Sequence, residues 1–184
     1  PNHSSAWTSL SRALLKEGQW DEALTAADRQ LSLQPGHTGS LALKSIALQE
    51  LHHEEAWNNL VDFDRLIGSS DIQPDSEAYP TLGDFNHELA EHCRCHTSLK
   101  YAPAHNTTNL GYQTADLAND GEKVIVDLLA AIEHSIQRYL HDRPIDHDHP
   151  FLGQRPSAWD YCIWGTVLET NGHQASHIHR DGWL

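Results

Sequence analysis

The run Trp7-Thr8-Ser9-Leu10-Ser11-Arg12-Ala13-Leu14-Leu15-Lys16-Glu17-Gly18-Gln19-Trp20-Asp21-Glu22-Ala23-Leu24 decides how the N-terminal third of the chain folds. Trp7, Leu10, Leu14 and Leu15 recur at helical spacing and line one face. Gly18-Gln19 breaks the pattern, and Ala23, Leu24, Ala27 and Leu31 resume it until Pro35-Gly36 stops it. The spacing predicts two helices of about twelve residues joined by a tight turn. The scheme then repeats. Leu41, Leu43, Ile46, Ala47 and Leu48 form one stripe, Leu51 to Glu54 turns, and Ala56, Trp57, Leu60 and Val61 form another. Asp21-Glu22-Ala23 returns as Glu54-Glu55-Ala56.

A repeat near 34 residues with small residues where helices cross is characteristic of tetratricopeptide repeats. The first unit resembles that family through Trp7, Leu10, Ser11, Leu14, Ala23 and Pro35. The second departs from it, with Ser40 where the first has Trp7 and with no proline near Gly68. The plainer reading is a generic helical hairpin domain. So short an array does not bury a solenoid core alone, so further repeats are expected upstream. The resemblance implies an arm that binds a protein or peptide partner.

The 184 residues carry a formal net charge of −14 and are 39% hydrophobic. That is enough apolar material for a core and argues against wholesale disorder. The acid excess speaks against nucleic acid or an anionic membrane as partner, because phosphate needs Lys and Arg on one face. No apolar run approaches the roughly 20 residues of a membrane span, and the N-terminus has no signal-peptide pattern. Three cysteines build no disulfide framework and suit a reducing, cytoplasmic location. The chain has no Met and ends within what reads as a folded segment, so it is expected to be part of a longer protein.

Beyond Gly68 the character changes. Gly68 to Pro74 reads as a linker, Asn86 to Leu99 as a helix, and Tyr101 to Tyr112 as loop or short extended structure. Val124 to Leu140 is amphipathic, with Val124, Leu128, Leu129, Ile132, Ile136 and Leu140 on one stripe. Asp160 to Leu168 reads as a strand covered on both faces, Asn171-Gly172 as a hairpin turn, and Gln174 to about Arg180 as a second strand. The expected fold is therefore α+β: helical hairpins over 1–68, a helical linker over 69–100, and a sheet domain over 101–184.

The most specific chemistry lies in His177-Ile178-His179-Arg180-Asp181. Alternation in a strand would put His177, His179 and Asp181 on one face. Two imidazoles and a carboxylate are the ingredients of a facial triad that binds Fe(II) and leaves coordination positions open. Closed structural zinc sites leave none.

The stretch from Asn109 to Leu184 resembles the 2-oxoglutarate/Fe(II)-dependent oxygenases that follow tetratricopeptide repeats in bacteria. The resemblance rests on Gly111-Tyr112-Gln113-Thr114 with Leu117, the helix through Tyr139-Leu140, and His149-Pro150-Phe151. Gly172-His173-Gln174 leading into His177-Ile178-His179 and Gly182-Trp183-Leu184 carries it most strongly. It implies the start of a double-stranded β-helix (jelly roll), with Fe(II) and 2-oxoglutarate as cofactors and hydroxylation of a C–H bond as the reaction. It also implies that two metal ligands lie within His177 to Asp181. His179-Arg180-Asp181 fits the usual His-x-Asp form, whereas His177-Ile178-His179 fits the subgroup's more regular feature, and both assignments stay open. The distal His and the base that grips the cosubstrate are expected downstream, so the chain taken alone is expected to be inactive.

Other donor-rich segments compete. His92-Cys93-Arg94-Cys95-His96 falls on a predicted helix, where residues two apart diverge by about 200°. His92 with Cys95, or His92 with His96, could share an ion; a solvated helix face is the plainer reading. His141, Asp146, His147, Asp148 and His149 sit in a loop expected to lie over the sheet, with Phe151 inserted in the core. Cys162 is expected to be buried as a small hydrophobe. No serine-hydrolase elbow or phosphate-binding Gly loop is present. Two other classes remain beside the oxygenase: a repeat-based binding module with a degenerate β-domain, and a metal cupin using zinc or manganese.

Overall fold

Amphipathic periodicity produces the helices where it is strongest. In the computed structural model, which describes residues 4–72, 74, 77–104, 106–153, 155–177 and 179, the N-terminal part forms α1 (Ser4–Lys16), α2 (Trp20–Leu33), α3 (Thr38–Glu50), α4 (Glu54–Val61) and α5 (Phe63–Leu66). Gly18, with φ of 71°, makes the tight turn between α1 and α2 at a backbone angle that favours glycine. The helices meet on small residues: Ala23, Ala26, Ala27, Ser40 and Ala47 are all buried. Across these contacts Ser11 Oγ donates to the Ala23 carbonyl (2.8 Å), and the hydroxyls of Thr8 and Ser40 lie 3.0 Å apart. Ser40 is fully buried against Thr8, so the position that lacks an aromatic is used for close helix approach. The expected stripe of the second pair holds at Leu43, Ala47 and Leu48, but Ile46 is exposed.

The chain divides into two units. One holds the described residues of 1–68 and 143–157 together with His179, the other those of 69–142 and 158–177. Within the first, the loop 143–157 packs on the helical hairpins, through Arg65 to Asp146 (2.7 Å) and His149 Nε2 to the Leu60 carbonyl (3.3 Å). The expectation that this loop covers the sheet is thus corrected. His149 and Leu152 are its buried anchors and Phe151 is only half-buried, because His149 Nδ1 accepts the backbone N–H groups of Phe151 and Leu152 at 3.2 Å each.

The second unit has α6 (Leu82–Cys95), β1 (Lys100–Tyr101), β2 (Thr108–Gln113), α7 (Lys123–Asp142) and β3 (Thr166–Gln174). Helix α6 starts four residues before the expected Asn86 because Thr81 and Asp84 form a reciprocal capping box. Its core is Tyr79, Phe85, Leu117, Val124 and Ile125, with Leu89, Cys93, Leu128 and Leu129 packed against it. The strands form one antiparallel sheet in the order β1-β2-β3. The protein is therefore α+β. Among the described residues no helix is long and apolar enough to cross a membrane.

Three strand expectations are corrected. Residues 160–165 are not in a strand, and Cys162, Trp164 and Leu168 are exposed rather than covered. Asn171-Gly172 does not turn a hairpin but lies inside β3. There the register passes from Gly111↔Leu168 to Asn109↔His173, so Leu110 alone faces the four residues 169–172. The excess is absorbed in a bulge with Asn171 at φ 66°, and the backbone packs so closely that a Cβ on Gly172 would lie within 2.4 Å of the Leu110 carbonyl. Finally, β3 ends at Gln174 and residues 175–177 have no regular structure, so the second strand expected from Gln174 is not found there; Ile178 and Arg180 of that expected strand lie outside the described residues.

Candidate metal centres

The C-terminal donors come first because the sequence singles them out. His177 and His179 are both exposed and both lie beyond the end of β3. Ala175 N–H still bonds the Thr107 carbonyl (2.8 Å), and His177 Nδ1 lies 2.9 Å from the Ala175 carbonyl. Strand alternation does not reach His177. Asp181 lies outside the described residues.

The second donor-rich segment behaves differently from its plainer reading. His92 and His96 stand one turn apart near the C-terminal end of α6, which puts both rings on one face with centroids 5.3 Å apart. Facing them is Asp120, in the turn between β2 and α7. That turn is fixed by the buried Leu117, whose carbonyl accepts the Asp120 N–H at 3.0 Å. Asp120 Oδ2 lies 2.6 Å from His92 Nε2, and Oδ1 lies 3.6 Å from His96 Nε2. All three side chains are less than a fifth exposed. Among the described residues, these are the three metal-donor side chains that come within 4.8 Å of one another. Asp120 is the participant that sequence reasoning missed. Neither spacing nor motif links it to α6, and only the Leu117 anchor brings it there.

The far side of His96 is also held. Its Nδ1 accepts the Ser98 N–H (3.2 Å) and lies 2.7 Å from Ser98 Oγ, which itself accepts the Ala115 N–H (2.9 Å). Cys93, between the two histidines, points instead into the core, where burial pushes its thiol pKa up. Cys95 is exposed.

The remaining candidates have structural partners. Asp146 is bound by Arg65, whose guanidinium also binds Asp62; this hydrogen bonding holds both carboxyls below their usual range and raises Arg65. His147 and Asp148 are exposed. Cys162 is exposed too, with its Sγ 3.4 Å from Asp116 Oδ2, and that carboxylate raises its pKa. In the helical unit an apolar cavity of about 390 Å³ is lined by residues that include Leu41, Leu60, Phe63, Ile67 and Phe151. Phe63 and Ile67 are more than half exposed.

Comparison of the chain with protein-family models, with curated proteins and with solved structures gives no match.

Proposed function

We propose that this chain belongs to a 2-oxoglutarate/Fe(II)-dependent dioxygenase whose helical hairpins are a tetratricopeptide-type arm and whose sheet is the beginning of a double-stranded β-helix. The observation that carries the reading is the run His177-Ile178-His179-Arg180-Asp181 in the sequence, separated by two residues from the end of β3. The donor set suits a ferrous ion: imidazole with carboxylate is the usual mixture, and two ligands from one short segment leave positions for cosubstrate and dioxygen. His177, His179 and Asp181 are the residues that would supply the two local ligands, and the bound iron with 2-oxoglutarate would supply the oxidising chemistry. The sheet is consistent with this role. It is antiparallel, and β3 stands at its edge among the described strands. The three free cysteines accord with a cytoplasmic setting.

The test is turnover. Protein expressed from the complete gene should convert 2-oxoglutarate to succinate only with Fe(II), and His177→Ala and His179→Ala should each reduce that rate. No succinate from well-folded protein, or turnover indifferent to both substitutions, overturns the reading.

A second reading makes the helical unit the functional part, a protein-interaction module beside a non-catalytic β-domain. The half-exposed apolar cavity around Phe63 and Ile67 favours it. It predicts partner capture that Phe63→Ser abolishes and that His177→Ala leaves intact, in a protein without succinate formation.

A further inference from the structure

We propose that His92, His96 and Asp120 form a second, separate metal site that takes a zinc-class divalent cation through three side chains, with water in the fourth position. The argument is geometric. A tetrahedral zinc with bonds of about 2.0–2.1 Å separates its donor atoms by about 3.3 Å. His92 Nε2 lies 2.6 Å from Asp120 Oδ2 and His96 Nε2 lies 3.6 Å from Oδ1, one imidazole to each carboxylate oxygen, and one donor atom from each of the three residues falls within 4.8 Å of the others.

The donor chemistry selects the cation. Two imidazoles with one carboxylate suit zinc and its first-row neighbours, whereas calcium and magnesium prefer oxygen alone. With neutral imidazoles, the single carboxylate offsets half the charge of a divalent ion. All three side chains are largely shielded from water, which limits competition by solvent.

The surroundings also fit. Metal-bound histidines commonly donate their other ring N–H to a nearby oxygen, which fixes the ring. Coordination through His96 Nε2 puts the proton on Nδ1, which exchanges the Ser98 N–H bond it accepts without metal for donation to Ser98 Oγ, 2.7 Å away and itself held by the Ala115 N–H. The supports are equally firm. The histidines stand one helical turn apart on α6, and Asp120 is held by the Leu117 turn at the foot of α7. A bound ion would tie the end of α6 to the start of α7 and leave one exchangeable position.

The experiment uses the whole chain carrying His177→Ala, His179→Ala and Asp181→Asn, so that the C-terminal donors do not contribute. After chelation it is titrated with Co(II), then with Zn(II) in competition. One equivalent of Co(II) with tetrahedral visible absorption, displaced by Zn(II), is expected, together with a rise in melting temperature. Adding His92→Gln, whose amide still donates to Asp120, should abolish the absorption while the fold survives by circular dichroism. Ser98→Ala should weaken binding by roughly tenfold. Absence of Co(II) absorption in the parent, or absorption unchanged by His92→Gln and Asp120→Asn, overturns the site and leaves a hydrogen-bonded cluster. Since the C-terminal donors are already removed, failure here leaves the dioxygenase reading untouched, and failure of succinate formation leaves this site untouched.

Discussion

Ser11 Oγ donates to the Ala23 carbonyl at 2.8 Å, and both residues are fully buried where α1 crosses α2. The approach is possible because Ala23 carries only a methyl group. Ala23→Leu would force the helices apart and should destabilise the helical unit by about 1–3 kcal/mol. Ser11→Ala leaves the packing intact and removes one hydrogen bond, so its cost should be nearer 1 kcal/mol. Urea unfolding followed at a helical wavelength gives both values. The opposite ranking would mean that the contact is held by the hydroxyl and not by close packing.

The bulge of β3 makes a second prediction. A Cβ on Gly172 would collide with the Leu110 carbonyl and with the backbone of Glu169. Neither is a flexible side-chain tip, so the strand must shift. Gly172→Ala should cost about 1–3 kcal/mol and reduce protection of the β2–β3 amides in hydrogen exchange. Asn171→Gly, at φ 66°, should be neutral or slightly stabilising. Unchanged protection in Gly172→Ala would refute the bulge geometry.

These elements differ in how openly the sequence declares them. Helix α7 was expected over 124–140 and is found at Lys123–Asp142, because its apolar stripe follows one period throughout. The α1–α2 pair was equally legible, since periodicity, a glycine break and small crossing residues all agree. The α+β class followed from these and from the strand-like C-terminal segments. The strands themselves were misplaced. Tyr161 to Leu168 alternates in composition, but the hydrogen bonds to β2 begin at Thr166 and run through a bulge that no alternation reveals. Asn171-Gly172 has the composition of a hairpin turn, yet the same left-handed tolerance serves a bulge just as well. The His92–His96 pair was visible as helix spacing, but Asp120 was not, because its contact depends on where Leu117 is buried.

The charge cluster of the helical unit predicts acid sensitivity. Arg65 hydrogen-bonds both Asp62 and Asp146 and lowers the pKa of each below its ordinary value. The unfolded chain therefore binds protons at these sites before the folded one does, so stability rises with pH there. The contribution is complete above the ordinary carboxylate range, near pH 4, and fades as the pH falls through the lower folded values. Arg65→Met should flatten the acid limb of a stability–pH profile measured by urea unfolding. It should change the slope above about pH 6 very little. An acid limb as steep as that of the parent would show that other carboxylates govern it.

Asp116 makes the last case, because one carboxylate there controls an exposed thiol. It accepts the Ile163 N–H (2.9 Å) and the Ala118 N–H (3.0 Å), and it lies 3.4 Å from Cys162 Sγ. Those backbone bonds lower its own pKa, so it stays charged and raises the thiol of Cys162. Exposure alone would make Cys162 reactive, but the thiolate is the nucleophile and its population is suppressed. Nucleophilicity grows only partly with basicity, so the loss of thiolate outweighs the gain per thiolate. Asp116→Asn removes the charge and retains an acceptor oxygen for the backbone. Alkylation at Cys162, followed by mass spectrometry at mildly alkaline pH, should then become faster and its pH profile should move to lower pH. Alkylation at the exposed Cys95 in the same sample should not change. A Cys162 rate indifferent to Asp116→Asn would mean that access, and not the neighbouring charge, sets its reactivity.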